Sequence, residues 1–147
     1  MDDWLEILAT ALPIDRAIVS VRHPQAGGIA VFLGVTRSED HPSATAALRA
    51  LDYEAYEDLA MKQLADLAAR ARKRWPILRL AILHRTGRVG IEEPSVLIAV
   101  STPHRKEAFQ ACEWLIDTLK TEVAIWKREV WSDGETTWVD PSPTNDQ

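Results

Sequence analysis

Two hydrophobic periods alternate along this chain, and the changes from one to the other mark its elements. Ile29 to Val35 (I-A-V-F-L-G-V) is a near-continuous apolar run and predicts a buried strand. Gly34 interrupts the run, which predicts a bulge or the close approach of another backbone. Leu48 to Tyr56 reads as a strand with Leu51, Tyr53 and Ala55 on one face. Arg16–Val21, Leu78–Arg85, Ser95–Ser101 and Val123–Trp131 read as further strands. Glu135–Val139 pairs with the last of these across the Ser132-Asp133-Gly134 turn. The opening as far as Pro13 is a short helical or extended piece, and Thr86–Gly90 is a turn or bulge.

The period lengthens twice. From Asp58 to Arg74, Ala60, Leu64, Leu67, Ala68 and Ala71 fall on one helical stripe. Arg70, Arg72, Lys73 and Arg74 fill its last turns, where the helix dipole favours cations, and Trp75-Pro76 ends it. From His104 to Lys120 the stripe is Ala108, Cys112, Leu115, Ile116 and Leu119, with Thr102 as the candidate cap before it. Ser38 to Ala47 is small, polar and proline-bearing and predicts an exposed, mobile loop. Asp140 to Gln147 predicts a frayed tail. Strands, helix, strands, helix and strands in that order predict an α+β fold, with a largely antiparallel sheet and two helices on one side. A single domain over 1–147 is expected, with no internal repeat.

Composition narrows the function classes. The net charge of −5 weighs against a generic nucleic-acid binder. No apolar run approaches the ~20 residues of a membrane span. The acidic start M-D-D-W-L-E lacks the basic region of a secretory signal, so a cytoplasmic location is expected. The lone Cys112 excludes a disulfide framework and reads as a small core residue. The four histidines show no metal-ligand spacing, so neither metal nor cofactor is expected. No Ser-His-Asp arrangement or phosphate loop is present.

The candidate chemistry is cationic. Lys120 and Lys127 stand seven residues apart, around the apolar Val123, Ile125 and Trp126. Strand alternation puts Lys127 on the face of Ile125 and Val123, not with Arg128. A lysine against apolar surface and other cations has its charged form disfavoured, so it can move protons near neutral pH or hold an anion. Set against this, a helix-end lysine and a strand lysine are most often solvated. Arg37 follows the buried run and suits bidentate contact with phosphate or carboxylate. His104 and Arg105 open the second long helix, where free N–H groups and the dipole favour anions. His84, with Arg85, reads as a packed strand-end residue.

Taken together, Phe32-Leu33-Gly34-Val35-Thr36-Arg37, Tyr53-Glu54-Ala55-Tyr56, Arg74-Trp75-Pro76, His84-Arg85-Thr86-Gly87, Pro103-His104-Arg105, Leu119-Lys120 and Ile125-Trp126-Lys127-Arg128-Glu129 resemble the catalytic (large) subunit of molybdopterin synthase. The likeness spans about residues 16 to 140, with Thr36 where valine is usual and Ala124 where proline is usual. It implies an α/β hammerhead fold and a homodimer. It also implies a small ubiquitin-like partner subunit, whose C-terminal Gly-Gly carries a thiocarboxylate, making a heterotetramer overall. The implied reaction adds two sulfurs to cyclic pyranopterin monophosphate (precursor Z), forming the dithiolene of molybdopterin. By position, the resemblance implies Lys120 as general acid/base beside the inserted tail and Lys127 as the group that polarises the pterin. It implies that Arg37 binds substrate, and that His104 and Arg105 bind the phosphate of the other subunit's substrate. A non-catalytic module that docks a ubiquitin-like protein or a phosphorylated ligand, and a purely structural dimer, stay open beside this reading.

Overall fold

A computed structural model describes residues 3–41 and 46–139. Eight strands and three helices follow one another among these residues: β1 (Trp4–Leu8), α1 (Ile14–Ser20), β2 (Gly28–Val35), β3 (Leu48–Ala55), α2 (Glu57–Arg74), β4 (Arg79–Arg85), β5 (Gly87–Gly90), β6 (Pro94–Thr102), α3 (Arg105–Glu122), β7 (Ile125–Trp131) and β8 (Thr136–Trp138). The α+β class holds, and the strands make two sheets where one was expected. The first runs β1-β4-β6-β2, the second β5-β3-β7-β8. Among the described residues only β1 and β4 pair in parallel; every other strand pair is antiparallel.

The first sheet is covered on both faces, which explains why β6 reads as unbroken apolar sequence. Its even residues Val96, Ile98 and Val100 meet the stripes of α2 and α3, including Leu64, Leu67, Leu115 and Ile116. Its odd residues Leu97 and Ala99, together with Ala81 and Leu83 of β4, meet α1 through Ala17 and Val21. All five residues of the α2 stripe are buried as the periodicity predicts. Each fully buried Leu or Ile adds about 1.5–3 kcal/mol to this core.

Local expectation fails at four places. Arg16–Val21 is not a strand; it lies in α1 and the turn that closes it. Its branched residues favour a strand locally, but Pro13 leads directly into a helical turn with Asp15 at its positive end. Ile14, Ala17 and Val21 then share one face and bury it on the first sheet, opposite α2 and α3. Gly87–Gly90 is strand β5, paired with β3 from Ala50↔Gly90 to Tyr53↔Gly87. Its single apolar residue, Val89, left too short a pattern to detect. Thr102 does not cap α3: its hydroxyl donates to the His104 carbonyl at 2.6 Å, and His104 holds the cap position without a side-chain bond. The segment after Arg37 is strand-like at its base. Asp40 bridges Ala47, the Leu48 N–H donates to the Glu39 carbonyl and the His41 N–H to the Ala46 carbonyl, both at 2.7 Å. The rest of that expected loop, residues 42–45, and the expected tail, 140–147, lie outside the described residues.

Gly34 bears out the expected bulge, while its close neighbour is a side chain where a backbone was the alternative. The β2–β6 register shifts between Gly34 and Val35. A Cβ at Gly34 would sit 2.6 Å from Val96 Cγ1.

Candidate active site

Helix α3 ends at Glu122 and β7 begins at Ile125, so the chain reverses within two residues. That reversal brings Lys120, in the last turn of α3, beside Lys127 on β7. Lys127 sits opposite Tyr53 of β3, while its neighbour Arg128 faces the other way and pairs with Asp52 at 3.1 Å. The Lys127 ammonium is pushed down to about 8, first by burial and then by the positive charge of Lys120, with Arg37 adding to the effect. Glu129 and Glu39 oppose it. Arg37, just past the end of β2, is exposed and pairs with Glu39 at 3.3 Å. Three of the five sequence-predicted residues, Lys120, Lys127 and Arg37, therefore lie within electrostatic reach of one another.

His104 and Arg105 do not join them within one chain. Both are exposed at the other end of α3. Fifteen residues of helix separate Arg105 from Lys120, about 22 Å along the axis. Arg105 packs instead against the start of β2, where a Cβ on Gly28 would fall 2.7 Å from the Arg105 Cα.

Three further residues shape the pocket. Burial lifts the Glu129 carboxyl above its ordinary value, and the charge of Glu39 lifts it further. Glu129 shares the face of Lys127 at strand spacing, a signal that was present in the sequence. Glu39 carried no such signal, because its segment reads as loop. His84 is buried, as a packed strand-end residue should be, and desolvation pushes its imidazole down to about 4. Its Nδ1 lies 2.8 Å from the Arg85 carbonyl, and its ring meets Tyr53 edge-on at 5.1 Å.

A groove of about 590 Å³ runs between β2 and α3 and reaches Lys120. Ala30, Phe32, Phe109, Cys112 and Ile116 line its apolar part. Cys112 is no nucleophile: burial pushes its thiol up to about 11. The outer edge of β2 has no partner strand among the described residues, and Ile29, Val31 and Val35 are exposed along it.

Residues 7–122 match the MoaE protein family. The chain belongs to this family. The molybdopterin synthase catalytic subunit of Thermoplasma volcanium is 45% identical over 126 residues, 86% of this chain and 89% of that one. The subunit of the same name from Bacillus subtilis is 41% identical over 130 residues, covering 88% and 81%. A crystal structure of molybdopterin synthase from Staphylococcus aureus superposes with a TM-score of 0.86 at 34% identity, over 95% of this chain and 98% of that one. For a MoaE chain this pocket can do two things chemically. It can hold an anion between lysine and arginine, and it can exchange a proton through an amine that titrates near pH 8.

Proposed function

We propose that this chain is the catalytic subunit of a molybdopterin synthase, working as one domain in the cytoplasm. It transfers sulfur from the thiocarboxylated Gly-Gly terminus of a small ubiquitin-like subunit to cyclic pyranopterin monophosphate, building the dithiolene of molybdopterin. The observation that carries this reading is the Lys120–Lys127 pair beside Arg37, where a long groove ends.

In this reading the partner's tail lies in the groove between β2 and α3. Glycines suit such a passage because they need no room for side chains. The thiocarboxylate sulfur bonds to a pterin side-chain carbon that gives up an oxygen substituent. Lys120 relays protons as water cleaves the resulting thioester, leaving sulfur on the pterin and a carboxylate on the partner's terminus. Lys127 polarises the pterin as it accepts sulfur, and Arg37 takes the phosphate as a bidentate anion. The sulfur comes on the partner, since Cys112 is buried with a raised thiol pKa.

His104 and Arg105 act from a second copy. The open, apolar edge of β2 is suited to antiparallel pairing with its own copy. Such pairing sets the Gly28 end of one strand against the Val35 end of the other. Gly28 touches Arg105 and Val35 leads into Arg37, so each phosphate site gains Arg105 and His104 from across the dimer.

The test is reconstitution with a thiocarboxylated small subunit and cyclic pyranopterin monophosphate, following dithiolene formation. Lys120→Ala should lower the rate by about 10²–10⁴-fold, the usual share of a general acid/base, with small-subunit binding intact. A wild-type chain that binds the small subunit but forms no dithiolene would make it a docking module.

A further inference from the structure

The segment after β2 brings a carboxylate into the phosphate site. Arg37, Glu39 and His41 alternate along it, as Lys127, Glu129 and Trp131 alternate along β7. The two sets face each other. Glu39 exerts its charge on both Lys127 and Glu129, and the His41 ring meets Trp131 edge-on at 4.6 Å. Backbone bonds to Ala46 and Leu48 hold this stretch in place, so Glu39 is a positioned group. Its Oε1 lies 3.3 Å from Arg37 Nε, on the guanidinium assigned above to the substrate phosphate.

We propose that Glu39 is a specificity-determining residue that tunes the pocket to a singly charged phosphate diester and against doubly charged phosphates. This rests on Arg37 being the phosphate-binding arginine. Arg37, Lys120 and Lys127 supply three positive charges when Lys127 is protonated, and Glu39 and Glu129 supply two negative ones. One net positive charge matches a cyclic phosphate, which carries a single negative charge and no second acidic proton. A phosphate monoester approaches two negative charges near neutral pH, because its second proton leaves near pH 6. The Arg37–Glu39 pair is half open to solvent, with side chains 65% and 30% exposed, so an incoming anion can displace it. The displaced carboxylate stays beside the site and opposes a second negative charge.

The bland alternative is a surface ion pair between residues two apart, with no bearing on ligand choice. Calorimetric titration at pH 7, where Lys127 keeps its proton, separates the two. The probes are cyclic pyranopterin monophosphate and methyl phosphate, a monoester that has largely lost its second proton by that pH, and the proteins are wild type, Glu39→Gln and Glu39→Asp. Removing the charge should tighten the singly charged ligand by about threefold, within the range of an exposed ion pair. It should tighten doubly charged phosphate by about tenfold, roughly the square of that factor, because the repulsion removed scales with ligand charge. Glu39→Asp, which keeps the charge, should behave as wild type. Equal gains for both ligands, no gain, or no phosphate binding in any of the three proteins would overturn the proposal. The charge-dependent pattern in a protein that forms no dithiolene would leave Glu39 in this role and refute the sulfur-transfer reading instead.

Discussion

Lys127 should weaken the fold that carries it, and replacing it with methionine should reveal the cost. Its amine titrates near 8 in the folded chain against 10.5 in the unfolded one. Each pH unit of that gap corresponds to about 1.4 kcal/mol, which sets an upper bound of about 3 kcal/mol. Lys127 is only partly buried, so screening reduces the expected figure to about 1–2 kcal/mol. The sign follows from proton counting. Below pH 8 both states hold the proton, and the folded state bears the full cost of a charged, desolvated lysine beside Lys120. Between about 8 and 10.5 the unfolded chain holds a proton that the folded chain has released, so stability rises with pH. Above 10.5 the cost is gone. Methionine fills similar space without a charge. Lys127→Met should therefore raise the melting temperature at pH 7 by about 2–8 °C, at 2–4 °C per kcal/mol for a chain of this size. The gain should shrink steadily as pH rises to 10.5, while sulfur transfer is lost throughout. Tyr53, whose phenol is raised by burial, titrates in both proteins and drops out of the difference. Calorimetric scans of the two proteins at pH 7, 9 and 10.5 make the comparison. A variant less stable at pH 7, or a gain that does not change with pH, would refute the electrostatic cause.

Two more outcomes follow from the geometry. If the sites are shared across the dimer, mixing inactive Lys120→Ala with inactive Arg105→Ala should restore sulfur transfer on subunit exchange. Each mixed dimer then holds one site with both lesions and one with neither; if Lys120 and Arg105 served the same site from one chain, no rescue would occur. Gly34→Ala should cost about 1–3 kcal/mol by overpacking, because its Cβ would press on Val96 Cγ1 at 2.6 Å. Urea unfolding should show much of that loss recovered in Gly34→Ala/Val96→Ala, and strictly additive losses would refute the contact.

Where the fold could be read in the sequence, the signal was local and repeated. The α2 stripe, the turn into β8 and the face of Lys127 each rest on several residues at one spacing, and each stands in the structure. The failures share a cause. Helix α1 is seven residues long and is held by the sheet it covers, so its own propensity says little. Strand β5 exists because β3 offers it a partner, and nothing within G-R-V-G announces that. The division into two sheets depends on long-range pairings that no local period encodes. The same limit governs the site. Lys120 and Lys127 are brought together by a tight reversal seven residues long, so their spacing could suggest the pairing. Glu39 reaches Lys127 across 88 positions of sequence, and only the fold shows it.

The site lies where the two sheets meet, and this accounts for the buried His84. Arg37 leaves the first sheet at the end of β2, Lys120 comes from the helix packed on that sheet, and Lys127 belongs to the second. Their spacing is therefore set by the junction between sheets, not by any one element. His84 of β4 and Tyr53 of β3 touch across that junction, and Tyr53 stands opposite Lys127. A charged side chain at position 84 would add a cation beside an ammonium already displaced by Lys120. Burial keeps the imidazole neutral down to about pH 4, so it braces the junction without that charge. The apolar environment that keeps His84 neutral also depresses Lys127, so one packing arrangement both holds the site together and brings its lysine within reach of neutral pH.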